Sequence, residues 1–445
     1  MATTMPDPSA LDVPADVAAV VLEEVDSRAD ETIALLQDLI RFPSENPRLA
    51  GIDAGAEADC QSYIEQTLRQ IGLETDRWDV FPKRPDLVGR LPGRGNGRSL
   101  ILNGHVDVAP GGDPAAWPYD PWAAEIHDGN VWGRGACDMK GGIAAMIAAT
   151  RAIQRLGLRL QGDLLLETVV DEEIGGPGTK QTLERGYTAD AAIVLEPTST
   201  EIQCVEGGLE WLRVVVRGVA GHTAKRYLTV HAGGQGKAVN AIEKMIKLLA
   251  SVQELERHWG VHKVHPLMPR GITTINIGVI LGGTGGGKDG MPNVISSPST
   301  FPDYCSAQLS LKYLPNERVE DVKAEFEDYL QRVAAADPWL REHPPEIEWG
   351  LSGVAFPPAE TSPKHPAIRT LAAAHQAALG APRYGGFVAV TDLAWMAERG
   401  IPGCLYGPGS IDDAHTSREF VPIDELIGVT KALALTALGW CGLER

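Results

Sequence analysis

No stretch limits the fold more than Leu-Ile-Leu-Asn-Gly-His-Val-Asp-Val-Ala-Pro, residues 100–110. Its apolar run carries the chain to Gly104, and His105 and Asp107 then follow two residues apart. Side chains at i and i+2 of an extended backbone point to the same side. A strand over Leu100–Asn103 therefore delivers an imidazole and a carboxylate together at its carboxyl end. That is the edge where open α/β sheets place ligands. In isolation the pair reads as a polar loop after a buried strand. Four further segments add to it: GRGACDMKGG (133–142), DEEIGG (171–176), LEPTS (195–199) and DDAHTS (412–417).

The surrounding pattern is that of alternating strands and helices. Helical apolar spacing covers Asp30–Phe42, broken by Pro43, and again Ala56–Ile71. Strands are expected near Glu74–Val80, Asp86–Arg90, Ser99–Asn103, Gly162–Val170 and Ala191–Leu195, with helices at Gly141–Leu156 and Thr179–Arg185. This predicts an α/β fold with a mainly parallel sheet flanked by helices. From Leu209 the order becomes strand Leu209–Gly218, helix Lys237–Val252, strand Thr273–Leu281, strand Tyr304–Leu314, helix Glu317–Ala335 and strand Glu346–Leu351. That β-α-β-β-α-β order is a ferredoxin-like α+β unit. Residues 207–356 are thus expected as an inserted domain, and 1–206 with 357–445 as the domain carrying the clustered residues. The first texture returns with helices Ala367–Leu379, Leu393–Arg399 and Ile423–Gly439 and a short strand Cys404–Tyr406. Residues 1–29 read as a polar extension, and the glycine run Gly282–Gly287 as a mobile surface loop. The run lacks the Gly-Lys-Ser/Thr ending and opens no helix, so it is no phosphate cradle.

Composition narrows the class. At 445 residues the chain exceeds one ordinary core, so two domains are expected. A net charge of −19 without a basic stripe argues against nucleic-acid binding. Residues 1–29 lack a basic and apolar leader, and no apolar run reaches membrane-spanning length. Six scattered cysteines without a CxxC fit reduced thiols in a cytoplasmic protein.

Asp138, Glu172, Glu173, Glu196 and His415 join His105 and Asp107 as candidate site residues. Five carboxylates and two imidazoles crowded together repel unless cations neutralise them. Nitrogen and oxygen ligands without thiolate suit zinc, with cobalt or manganese as substitutes. Two metals bridged by one carboxylate, ~3.5–4 Å apart, activate water while polarising a carbonyl.

GHVDVAP, GRGACDMKGG, DEEIGG, LEPTS and DDAHTS together resemble the motif series of co-catalytic zinc amidohydrolases and peptidases. That family includes acetylornithine deacetylase, succinyl-diaminopimelate desuccinylase, aminoacylase and glutamate carboxypeptidase. The resemblance runs from about Glu31 to the carboxyl terminus and implies two Zn²⁺ per subunit. It implies that His105 and Glu196 bind one metal, Glu173 and His415 the other, and that Asp138 bridges them. It makes Glu172 the general base acting on a bridging water, and has the Asp107 carboxylate orient His105 through its far ring nitrogen. It further implies a cis peptide after Asp138. The insert resembles the family's lid and dimerisation domain, with His222 in VAGHTA stabilising the oxyanion, often in the partner subunit's site. Asn293 falls at a family substrate-contact position.

One departure bears on the substrate. Where many members have Asp-x-Arg, this chain has Ser310 and Lys312; lysine is still cationic, which keeps Lys312 as a candidate substrate-binding residue, but it cannot form the planar fork that grips a carboxylate. The resemblance implies a C–N amide hydrolase acting on an N-acyl amino acid or a similar small N-acyl amine, as a homodimer with no nucleic-acid or membrane partner. A dipeptidase or carboxypeptidase of the same family, a deformylase of a heterocyclic amine and a non-catalytic homologue are the alternatives.

Overall fold

The structure is a computed structural model describing residues 11–52, 55–225, 238–295 and 297–444. The chain divides into two compact units, one made of Met1–Glu206 with Ala359–Arg445 and the other of Gly207–Pro358. His231 and Lys237, the latter the expected start of a helix, lie outside the described residues.

The split unit is built on one sheet. Across it run Glu74–Phe81, Arg84–Leu91, Leu164–Val169, Leu100–His105, Ala191–Val194, Gly403–Leu405, Ile202–Glu206 and Ala359–Glu360, with Tyr384–Phe387 also paired to Ile202–Glu206. The four central strands, from Leu164–Val169 to Gly403–Leu405, are mutually parallel, as expected. Antiparallel strands extend the sheet at both edges. The central strands are buried along their length, which their unbroken apolar runs require.

Helix Gly141–Arg155 is apolar almost all round and buried accordingly, packed against Ile423–Cys441 and Ala29–Ile40. Its start comes so close to the end of Ala191–Val194 that a Cβ on Gly142 would lie 2.4 Å from the carbonyl oxygen of Leu195. Glycine at 142 therefore sets the helix beside Glu196. No helix among the described residues is long and apolar enough to cross a membrane.

Residues 15–27 are not a polar extension. Ala15–Ser27 is a helix that buries Val21 and Val25 and packs on Ile423–Cys441. The i, i+4 pair of valines was hidden by the Ala/Asp-rich composition around it.

The inserted unit has the sheet order Pro292–Val294, Ile275–Gly286, Tyr304–Tyr313, Gly208–Arg217, Glu346–Trp349. Helices Ala241–His262 and Val319–Ala335 bury Met245, Leu248, Val252, Phe326 and Leu330 in the core beside it. Apart from the short Pro292–Val294 edge, that is the ferredoxin-like arrangement. The glycine run departs from expectation: residues 282–286 continue the strand, pairing Gly282 with Cys305 and Gly283 with Tyr304. A Cβ on Gly282 would meet Ile242 Cδ1 at 2.6 Å, and one on Gly286 would meet the Tyr304 ring at 2.7 Å. These glycines mark close packing on the strand, not a loop.

Candidate metal centre

His105 closes the strand Leu100–His105 and its ring is buried. Nδ1 lies 2.7 Å from the main-chain carbonyl oxygen of Asp107. The Asp107 carboxylate is 3.8 Å from the same nitrogen, so the peptide oxygen, not the side chain, orients the ring. That corrects the role expected of the carboxylate. It accepts instead from Asn46 Nδ2 at 2.7 Å and from the amide of Glu172 at 3.4 Å. The His-x-Asp spacing carries the chain just far enough past the strand for its own carbonyl to turn back on the ring. With Nδ1–H on a carbonyl, the neutral ring presents its Nε2 lone pair.

Nε2 of His105 lies 3.1 Å from Asp138 Oδ1 and 4.0 Å from Glu196 Oε1. Glu196 lies two residues past the parallel neighbour Ala191–Val194, whose Val194 pairs with Asn103. Asp138 sits in the turn before Gly141–Arg155, and the Asp138–Met139 peptide is cis. Its second oxygen, Oδ2, lies 3.2 Å from His415 Nε2, which is 3.0 Å from Glu173. Each oxygen of Asp138 thus faces a different imidazole. The donor atoms of His105, Asp138 and Glu196 lie within 4.8 Å of one another, as do those of Asp138, Glu173 and His415. Glu172 belongs to neither triplet and stands 3.9 Å from His105 Nε2.

The electrostatics call for positive charge. Burial pushes Glu172 and Glu196 well above the ordinary carboxylate range, opposed by His105 and reinforced by neighbouring carboxylates. Burial also raises Glu173, against the bond from His415. Burial opposes ionisation of Asp138 too, yet the bonds from both imidazoles hold it below its usual value. Bonds to Asp138 and Glu173 push His415 up to about 10. A divalent cation would compete with protons for the same imidazole lone pairs. Nitrogen and oxygen donors without thiolate, in two sets sharing one carboxylate, fit a pair of zinc-like divalent ions.

Several supporting residues carried no sequence signal. Glu419 accepts the amides of Cys137 and Asp138, both at 3.2 Å, and pairs with the buried guanidinium of Arg134. Asp392, raised to about 7 by burial, accepts from Thr179 Oγ1 at 2.8 Å. Asn46 reads in the sequence only as part of the break between Pro43 and Pro47. Glu419 and Asp392 read as ordinary surface acids, because only the tertiary fold shows their burial.

His222, Asn293 and Lys312 belong to the inserted unit. His222 is exposed and pairs with Thr300, and its Nδ1 accepts the amide of Ala224 at 3.0 Å. In the neutral ring that leaves the proton on Nε2. Asn293 lies exposed on the edge strand Pro292–Val294. Lys312 is half-buried opposite Leu209, and burial lowers its ammonium pKa.

The family description "Peptidase family M20/M25/M40" matches residues 101–439. N-formyl-4-amino-5-aminomethyl-2-methylpyrimidine deformylase of Halalkalibacterium halodurans is 38% identical over 434 residues, covering 96% of this chain and 98% of that protein. The protein of the same name from Bacillus subtilis is 35% identical over 432 residues, covering 95% and 97%. In the split unit and insert alike the fold is shared with a dinuclear metal-binding peptidase of the M20 family from Bacillus subtilis. That match has a TM-score of 0.64 at 14% identity and covers 93% of this chain and 98% of the other.

Proposed function

The chain belongs to peptidase family M20/M25/M40 and is a metal-dependent amide hydrolase; from that premise we propose that it removes a formyl group from a small aminopyrimidine. The observation that carries this reading is 38% identity across nearly the whole length of a formyl-aminopyrimidine deformylase. Ser310 and Lys312, in place of a carboxylate-gripping arginine, agree with a substrate that has no carboxylate.

His105 and Glu196 would hold one ion, Glu173 and His415 a second, with Asp138 shared between them. Two Zn²⁺, or Co²⁺ or Mn²⁺ in their place, would supply Lewis acidity toward the formyl carbonyl and toward a water nucleophile. Glu172, outside both ligand sets, takes the proton from that water. It then returns the proton to the amine nitrogen as the C–N bond breaks, so that formate and the free amine leave. His222, donating through Nε2–H, would stabilise the oxyanion from the partner subunit of a homodimer. Six buried free thiols agree with a reducing, cytoplasmic setting.

The test is a substrate panel of N-formyl aminopyrimidine, N-acetyl amino acids, N-succinyl amines and dipeptides, with each metal supplied. Formate release from the first compound should dominate, and Lys312→Ala should leave its kcat/KM unchanged. Faster turnover of an N-acetyl amino acid or a dipeptide would replace this reading with deacylase or dipeptidase activity.

A further inference from the structure

Behind the ligand sets lies a fully buried polar chain. Asp107 and Asp171 are both 0% exposed, one just past the strand that carries His105, the other just before Glu172. Two buried carboxylates facing the same group need donors between them. Asn46 supplies both from one nitrogen: Nδ2 donates to Asp107 Oδ2 at 2.7 Å and to Asp171 Oδ1 at 3.0 Å. Its own oxygen accepts the amide of Arg48 at 3.0 Å, and its main-chain N–H donates to the carbonyl of Val108 at 2.9 Å. Every polar atom of the side chain is therefore spent on holding one orientation.

Asp171 is the pivot of the turn it begins. Its φ is +65°, a left-handed value that a non-glycine residue keeps only when its surroundings enforce it. Arg84 meets Oδ1 at 2.7 Å and Arg48 meets Oδ2 at 2.8 Å. Arg84 is itself clamped by both oxygens of Glu57, at 2.6 and 2.8 Å. The carbonyl of Asp171 accepts the amides of Ile174 and Gly176, closing the turn that projects Glu172 and Glu173. On the other side, Asp107 Oδ1 receives the amide of Glu172 itself.

We propose that Asn46 is a positioning residue whose carboxamide ties the Asp107 and Asp171 carboxylates together and so fixes the Glu172–Glu173 turn against the end of the His105 strand. The inference rests on Glu172 being the base. Arg48 and Arg84 serve the same turn through Asp171.

The experiment is a double-mutant cycle on the metal-loaded enzyme, with metal affinity measured by chelator competition as a second readout. Asn46→Ala should lower kcat by roughly ten- to a hundredfold with little change in KM, the usual cost of losing a group that orients a metal-site residue. It should also weaken metal binding, because Glu173 rides on the same turn. With metal kept saturating, Asn46→Ala in the Glu172→Gln background should bring little further loss of rate, since the base it positions is already gone. Arg48→Ala, a partly exposed change that spares the buried core, should give a smaller fall with the same coupling. If Asn46→Ala and Arg48→Ala lower the rate by the same factors in both backgrounds, or leave kcat and metal affinity unaltered, the positioning role is wrong. Full activity in Glu172→Gln alone would instead overturn the assignment of the base.

Discussion

The amide of Asp138 donates to Glu419 Oε1 at 3.2 Å, so the carboxylate shared by both ligand sets is held through its own backbone by a residue 281 positions later. The same Glu419 oxygen takes the amide of Cys137, and its partner oxygen meets Arg134. One buried acid thereby fixes the turn preceding helix Gly141–Arg155.

Glu419→Ala should strand the Arg134 guanidinium, which is only 3% exposed. Breaking such a buried pair costs about 3–5 kcal/mol. Urea unfolding should show that loss as a lower midpoint. Glu419→Gln, which keeps an acceptor for the two amides, should lose less. Equal stability in Glu419→Ala and the parent protein would deny it this role.

Base and ligand are separable by composition. Glu172→Gln should cut kcat by about 10²–10⁴ while retaining its metal, since only the proton transfer is removed. Glu173→Gln and His415→Ala should lose metal as well as rate. Elemental analysis of the purified variants decides the matter, and a metal-poor Glu172→Gln beside a fully loaded Glu173→Gln would reverse the two roles.

Stripping the metal should abolish activity and lower the melting temperature together. A ligand present at a hundred times its Kd stabilises the folded state by about 2.7 kcal/mol. Adding back Zn²⁺, Co²⁺ or Mn²⁺ should restore both properties, each ion to its own rate. Undiminished turnover after exhaustive chelation, with metal absent by analysis, would contradict a hydrolytic role for these ligand sets.

If His222 serves the neighbouring subunit, mixed dimers of inactive His222→Ala and inactive Glu172→Gln should regain activity, since one site per heterodimer has both groups. The assay needs subunit exchange verified by differential tagging. Verified heterodimers that stay inactive would place His222 in its own chain's site or outside catalysis.

The inserted unit has an acid-sensitive contact of its own. Burial opposes ionisation of Asp337, but Lys244 at 2.9 Å and the amides of Leu340 and Trp339 bring it to about 2, from an ordinary 3.8. Its folded-state value is depressed, so the stabilisation is whole above about pH 4 and disappears as pH falls toward 2. In that window the unfolded chain binds more protons, and stability rises with pH. The full effect is roughly 2 kcal/mol. Asp337→Asn should flatten the acid limb of the stability curve between those values, and an unaltered limb would mean the contact contributes nothing.

What the sequence disclosed follows what is local in it. Strand ends bearing His105, Glu172, Glu173 and Glu196 were legible because an apolar run and the polar residues after it are contiguous. His415 was legible only through its motif, since the contact with Glu173 spans 242 residues. Asn46 and Glu419 act through burial and distant hydrogen bonds, which no period or spacing encodes. The Asp107 carboxylate was assigned by motif to the imidazole, but the competing acceptor is a peptide oxygen present in every residue. The strand through Gly282–Gly286 was missed because glycine signals freedom locally, while here its missing Cβ lets Ile242 and Tyr304 pack against the backbone.

Glu206, the last residue before the insert, pairs with Ala359, the first residue after it, across antiparallel strands. To the split unit, everything between those two positions is the connection of a β-hairpin. Its two ends are already brought together by the sheet, so the length and content of the connection matter little to the strands it joins. A different module, or a short turn, could be spliced at this point without removing one neighbour from the nine-stranded sheet. The acids and imidazoles of both ligand sets all lie outside the spliced segment. Chain topology thus leaves the inserted unit free to be exchanged while the metal-binding unit keeps its scaffold.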